Sequence, residues 1–225
     1  MASLWITITI MYLKWKEKII TDFSDKNINA LYNQGFVFTR QNKGTMNQTR
    51  SLRVDLSKFT LASENRRVMK KTENLRLTKI PLPYVGYQWS IGKLGKDFYE
   101  TKFGEGIFSA NKMRELLTDK EKSNLNTIFV YEHHGVEKVG YCIARETNEL
   151  IHYCYPFYKL DAAIANLGLG MMTKAIVWAK EHCKKYIYLG SSQRPADTYK
   201  LQFAGLEWFD GKMWQTDLEK LKKTL

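Results

Sequence analysis

Apolar residues recur along this chain with two periods, and the switches between them mark out its elements. Residues 4–13 alternate isoleucine with threonine (Ile6, Thr7, Ile8, Thr9, Ile10), which predicts a half-buried strand. Ile28, Leu31 and Tyr32 fall at helical spacing within 25–34, and Gly35 follows as a stop. Phe36, Val37 and Phe38 predict a short strand, 41–48 a polar loop, and 52–56 an alternating strand. A helix capped by Ser63 is expected to run to about Leu75. Pro81-Leu82-Pro83 then interrupts the chain, so we divide it into 1–80 and 81–225. Beyond the break, helices are expected near 89–103 and 109–118, and a hairpin over 127–131 and 139–144 turns at His134-Gly135. A strand over 150–157, a long helix over 165–182 opened by Asn166-Leu167-Gly168-Leu169-Gly170, and a buried strand over 186–190 come next. A hairpin turning at Asp210-Gly211 and a basic helix over 218–223 close the chain. Hairpin, strand, glycine-opened helix, strand and closing hairpin describe an α/β (α+β) domain: a mixed sheet flanked by helices, with a small N-terminal α/β region packed on it.

Composition adds a partner class. The 225 residues are 44% hydrophobic and 13% aromatic, enough for a packed core and too much for a disordered chain. Lys and Arg number 35 against 23 Asp and Glu, giving +12, so a polyanion such as nucleic acid or an anionic membrane is an expected partner. The apolar stretch at 4–13 is too short to span a bilayer and lacks a basic start and a small-residue cleavage site, so neither membrane nor secretion is expected. Translation from Met1 or from Met11 fits equally. Cys142, Cys154 and Cys183 are odd in number with no CxxC pair, which suits a reducing cytoplasm and excludes a zinc ribbon or disulfide framework.

Several residues could carry chemistry. Gly168 and Gly170 open a helix whose free N–H groups and positive dipole end suit a phosphate, though a close-packed helix start has the same appearance. Arg66, Arg67, Lys70 and Lys71 form a cationic strip at helical spacing, either facing nucleic-acid phosphates or simply solvated. Tyr199 can donate to a developing oxyanion and Lys200 can meet a phosphate or carboxylate, against core tyrosine and surface lysine as the plain readings. Glu207 could accept a proton or be a solvated strand end. His133 and His134 read as turn residues. No group of residues has the spacing of a metal site.

The order of short motifs resembles the arginyl-tRNA–protein transferase family, including its bacterial leucyl-transferring relatives, with an acetyltransferase-like (GNAT) catalytic half. Tyr155-Pro156-Phe157-Tyr158, Leu167-Gly168, Tyr186-Ile187-Tyr188-Leu189-Gly190 and Tyr199-Lys200 followed by Phe203, Leu206 and Glu207 carry the likeness. Leu52-Arg53-Val54, Phe59 and Asn65-Arg66-Arg67-Val68 extend it, so that it covers roughly 25–75 and 127–210. The resemblance implies transfer of an amino acid of the arginine or leucine class from charged tRNA to a protein's N-terminal α-amine, tagging the protein for degradation. The co-substrate is aminoacyl-tRNA, and no other cofactor and no metal is expected. By the same resemblance Tyr199, Lys200 and Glu207 would be catalytic. Arg53, Arg66, Arg67, Lys70, Lys71, Gly168 and Gly170 would hold tRNA. Tyr155, Tyr158, Tyr188, Ser191, Ser192 and Arg194 would line the pocket for an acidic protein N-terminus. The sequence also departs from the family. Residues 35–52 hold no cysteine where relatives have a cysteine motif. Ser191-Ser192 replace a usual Tyr-Trp pair, and Gln202 and Ala204 replace usual arginines. An acetyl-CoA-dependent acetyltransferase and a non-catalytic RNA-binding relative are the alternatives.

Overall fold

The computed structural model describes residues 13–225, and the strand expected over 4–13 lies outside them apart from Leu13. The first elements build a small layer. Strand β1 (Lys16–Ile19) pairs with β3 (Thr45–Gln48), and β3 pairs with β2 (Phe36–Phe38), all antiparallel. Helix α1 (Asp25–Asn33) packs beside them, started by Ser24, whose hydroxyl accepts the Asn27 N–H. The polar loop expected over 41–48 is therefore half strand. Thr45, Asn47 and Gln48 are buried because β3 is the central strand, and Gln48 donates to the Gln34 carbonyl at 2.7 Å.

The second sheet has eight strands. Its spatial order is β11 (Trp214–Gln215), β10 (Leu206–Phe209), β4 (Ser51–Asp55), β9 (Tyr186–Ser191), β8 (Leu150–Tyr158), β7 (Glu137–Glu146), β6 (Thr127–His133) and β5 (Leu75–Pro81). Every pairing in it is antiparallel except β8 with β9, which are joined by helix α5 (Leu167–Glu181). The mixed sheet flanked by helices is thus as expected. Strand β4 lies before the Pro81-Leu82-Pro83 break and β5 runs up to its first proline, and they pair with β9 and β6 after it, so the large sheet runs across the break.

Two local expectations need correction. Helix α2 (Ser63–Lys71) is capped one residue earlier, at Ala62, where the Asn65 side chain accepts the Ala62 N–H. It also stops at Lys71 instead of Leu75, because the Thr72 hydroxyl turns back to the Val68 carbonyl and Leu75 opens strand β5. The alternation of Leu75 and Leu77 with Arg76 and Thr78 is that of an edge strand.

Alternation along the strands sorts side chains to the two faces. Ile151, Tyr153, Ile187 and Leu189 meet Met171, Ala175 and Ile176 of α5, with α2 and helix α6 (Leu218–Lys222) on the same side. On the other face Ile128, Val130, Tyr141 and Phe157 meet helices α3 (Trp89–Phe103) and α4 (Ala110–Thr118). Leu150 and Tyr188 on that face meet α1 and the small sheet. Burying each such Leu, Ile or Phe contributes about 1.5–3 kcal/mol, so the strands between these layers are the best-anchored part of the molecule.

Candidate active site

The parallel pair is short. Strand β8 touches β9 only at Leu150–Tyr186, Ile151–Ile187 and His152–Tyr188. Beyond those residues β8 stays with β7 as far as Tyr158, while β9 stays with β4 as far as Ser191. The sheet opens between them, at the C-terminal ends of two parallel strands joined by a crossover helix, which is where α/β sheets bind ligands.

Four elements converge on this opening. Helix α5 begins at Asn166, held in the left-handed conformation (φ 62°), with no side chain capping its first turn. A Cβ on Gly168 would stand 2.8 Å from the Tyr158 ring, and one on Gly170 would stand 2.5 Å from the Thr72 methyl group. Both glycines therefore permit close approach. The Gly170 N–H is committed to the Asn166 carbonyl at 2.8 Å, which removes it as a phosphate ligand and leaves the first-turn amides at Gly168 and Leu167.

The second element is the 3-10 helix Pro195–Gln202 after β9. Its Asp197 accepts the N–H groups of Gln193 (2.9 Å) and Arg194 (3.1 Å), folding the chain back on the strand end. Lys200 is 9% exposed; its ammonium donates to the Ser191 carbonyl at 2.9 Å and lies 3.4 Å from Asp197. It is no surface lysine, and burial pulls its pKa below 10.5 although Asp197 opposes the shift. Tyr199 beside it is 45% exposed. Burial, with Asp197 and Tyr158 adding, pushes its phenol up to about 12, so the hydroxyl keeps its proton at neutral pH.

Arg194 completes the rim. Its guanidinium lies 4.8 Å from the Phe103 ring at the end of α3, and its buried Nε has no partner. Ser51 faces Ser191 across the β4–β9 pairing, and Ser192 donates its N–H to the Arg50 carbonyl at 2.9 Å. The hydroxyls of Ser51 and Ser192 are both buried and unpartnered. Tyr155 packs on Phe108 and Tyr158 on Phe98, against the α3–α4 core, and the Tyr158 ring also approaches Gly168 at the start of α5.

Three expected site residues sit elsewhere. Arg53 is buried, bonds Glu207 through Nε and a terminal nitrogen at 2.8 Å each, and is sandwiched between Tyr186 (4.0 Å) and Trp214 (3.9 Å). A phosphate cannot reach a guanidinium filled in this way. Glu207 is closed by the same pair, with Lys58 at 3.6 Å, and is buried where a solvated strand end was the plain expectation. Tyr188 accepts from Arg53 at 3.3 Å and stacks edgewise on Tyr32 at 4.9 Å, inside the core and not in the opening.

The cationic strip is where it was expected. Arg66, Arg67, Lys70 and Lys71 are exposed on α2, although Arg67 is held by Glu64 through two bonds of 2.7 and 2.5 Å. The contact between Thr72 and Gly170 brings the Lys70–Lys71 end of the strip beside the start of α5. Asp197 escaped the sequence reading; its signal was an acid two residues after Pro195, the pattern of a helix start. Among the described residues no cluster of His, Cys, Asp and Glu could hold a metal ion, and no helix is long and apolar enough to cross a membrane.

No family model matches the chain. It is similar to aspartate/glutamate leucyltransferases. The protein of that name from Ruegeria pomeroyi is 24% identical over 196 residues, covering 83% of this chain and 71% of its own length. The one from Dinoroseobacter shibae is 23% identical, covering 86% and 73%. The one from Xanthomonas campestris pv. campestris (strain B100) is 32% identical over 71 residues only. The similarity of these relatives thus lies with leucyl-transferring enzymes. Among solved structures, the L-PGS of Bacillus licheniformis overlaps 88% of this chain and 69% of its own at a TM-score of 0.49 and 14% identity. A GCN5-related N-acetyltransferase from Kribbella flavida overlaps 80% and 59% at 0.40 and 13%.

Proposed function

We propose that the protein is an aminoacyl-tRNA–protein transferase that moves leucine, or an amino acid of that class, from charged tRNA to the α-amine of proteins beginning with Asp or Glu. The observation that carries this reading is the parting of β8 and β9, with Tyr199 and Arg194 at its edge and the cationic strip of α2 leading to the start of α5. The similarity to aspartate/glutamate leucyltransferases supports the amino acid and the acidic acceptor.

The chemistry asks little of the protein. The acceptor's amine nitrogen attacks the ester carbonyl, the bond to the tRNA ribose oxygen breaks, and the amine's proton ends on that oxygen as the amide forms. An α-amine of ordinary pKa is about 10–20% neutral at pH 7, so positioning and oxyanion stabilisation can supply most of the rate. Tyr199, protonated and at the edge, donates to the developing oxyanion. Lys200 is a positioning residue: it ties the strand end to Asp197 and so sets where Tyr199 and Arg194 stand. Arg194, with an unpartnered Nε, meets the acceptor's acidic side chain. Its single guanidinium gives a weaker preference than a site with further arginines, since Gln202 and Ala204 offer none. The role of such tagging would be to mark the acceptor for degradation in the cytoplasm.

The test incubates the protein with leucyl- and arginyl-tRNA in turn, and with peptides differing only in a first residue of Asp, Glu, Asn, Leu or Lys. Acetyl-CoA serves as a parallel donor, because the uncapped α5 start could also take a pyrophosphate. Leucyl transfer to Asp and Glu peptides is expected. Acetylation without any transfer from tRNA would establish the acetyltransferase alternative, and RNA binding without transfer from any donor would establish the non-catalytic one.

A further inference from the structure

A cavity of about 300 Å³ lies on the face of the sheet away from α5, between the α4 end and the small sheet. Phe23, Leu82, Leu116 and Leu125 give it apolar walls, and Lys43 and Arg145 stand in its lining. Arg145 comes from β7, opposite His152, and is 9% exposed. Its Nε has no partner; its guanidinium lies 5.5 Å from the Phe38 ring and makes one long hydrogen bond of 3.4 Å to the Asn124 carbonyl. Lys43 is anchored by the carbonyls of Lys120 (2.8 Å) and Ser123 (2.6 Å), both neutral.

Most of the acids nearby are committed. Glu146, next in the chain, is held by Lys79 at 2.6 Å and Lys184 at 3.0 Å. Asp25 accepts the Asn148 N–H at 2.7 Å and acts on Arg145 only through space. Asp119 and Glu121 both line the cavity: Asp119 accepts the N–H groups of Glu121 and Lys122, and the exposed Glu121 acts on Lys43 through space. Among the described residues no carboxylate pairs with Arg145 or Lys43. Burial pulls the pKa of each cation down; at Lys43 the Glu121 and Asp119 carboxylates oppose that shift, and Arg145 adds to it. Buried charges are normally paired, and an unpaired one is costly to hold. Arg145 is such a charge, and with half-buried Lys43 it faces a cavity part of whose wall is apolar, which describes a site for an anion with an apolar body.

We propose that this cavity binds a small carboxylate with an apolar stem, the carboxylate on the Arg145 fork and the stem against Phe23, Leu116 and Leu125. The planar guanidinium matches a carboxylate through two parallel bonds, and the Asp119 and Glu121 carboxylates in the lining repel a doubly charged phosphate more than a singly charged carboxylate. The volume is at the lower end of small-molecule pockets, which restricts the ligand to about the size of benzoate or hexanoate. The site lies on β7 away from the β8–β9 opening, so it stands whether or not the protein transfers amino acids.

The full chain is titrated with acetate, hexanoate, benzoate and inorganic phosphate at matched ionic strength. Thermal unfolding and the arginine Nε–H signals in a proton–nitrogen spectrum are followed. Hexanoate and benzoate are expected to raise Tm and to move one Nε–H signal, binding at least tenfold more tightly than acetate. Arg145→Gln should weaken them at least tenfold. Should that variant fail to fold, the wild-type Nε–H signal still decides. No response to any carboxylate, or undiminished binding by a folded Arg145→Gln, overturns the proposal. Phosphate binding as tight as benzoate overturns the assignment to a carboxylate.

Discussion

Two buried ion pairs stand along β9, and they differ in what surrounds them. Arg53 and Glu207 are enclosed: two bonds join them, Tyr186 and Trp214 cover the guanidinium, and Asn33 and Tyr188 take a further donor. Lys200 and Asp197 are equally buried but sit at the strand's open end, beside a half-exposed tyrosine, two unpartnered serine hydroxyls and an arginine with an idle Nε. A closed network fixes a fold, because every charge is answered within it. An incomplete one next to a gap in the sheet leaves polar groups for something else to answer. All four residues are charged and close to the family's motifs, so only the surroundings separate the two roles.

The sharpest way to break this comparison is to open the closed pair. Glu207→Ala leaves a buried guanidinium unanswered and should cost about 3–5 kcal/mol of stability, read as a lower urea midpoint, while transfer per folded molecule stays near wild type. Normal stability with transfer abolished would restore Glu207 to the reaction. Tyr199→Phe should do the reverse. Its ring is 45% exposed, so stability should hardly move. Loss of one hydrogen bond to a developing charge, about 1.5–3 kcal/mol, should slow transfer roughly 10- to 100-fold. An unchanged rate would leave Tyr199 as a wall.

Much of the fold was legible because its elements announce themselves locally. The spacing of Ile28, Leu31 and Tyr32, the hairpin at His134-Gly135 and the glycine-opened α5 follow from period and turn chemistry. Strand β3 was not legible, since Thr45, Asn47 and Gln48 are hidden by pairing with strands far along the chain and not by their own character. Strand β5 was obscured by the basic helix before it, whose end depends on the Thr72 hydroxyl. The site divides in the same way. The cationic strip could be read from helical spacing alone, whereas the enclosure of Arg53, Tyr188 and Glu207 comes from residues 33, 186 and 214, which nothing in the sequence places beside them.

The strip tests the open side of the comparison from a distance. Lys70→Glu with Lys71→Glu reverses the two cations nearest α5, and among the described residues neither forms an ion pair that would be lost. If tRNA lies along α2, affinity should fall and the log–log salt slope should drop by about 0.7–0.9 for each phosphate contact removed. Arg67→Glu should do less, because Glu64 already holds that guanidinium. An unchanged slope in the folded double variant would make the strip a solvated face.

The smallest effect is a pH dependence that belongs to Lys200. Burial lowers its folded pKa below 10.5, the value it regains on unfolding. Between those two values the unfolded chain holds more protons than the folded one, so this group makes stability rise with pH across that window. Below the window both states are charged and the folded state carries the full cost of the buried ammonium, relieved by Asp197 and the Ser191 carbonyl. Subtracting the stability profile of Lys200→Met from that of wild type should therefore leave a positive slope on the alkaline side, ending near 10.5. A flat Lys200 difference would mean that the open end of β9 is as well solvated as the surface, and the contrast between the two ion pairs would lose its physical basis.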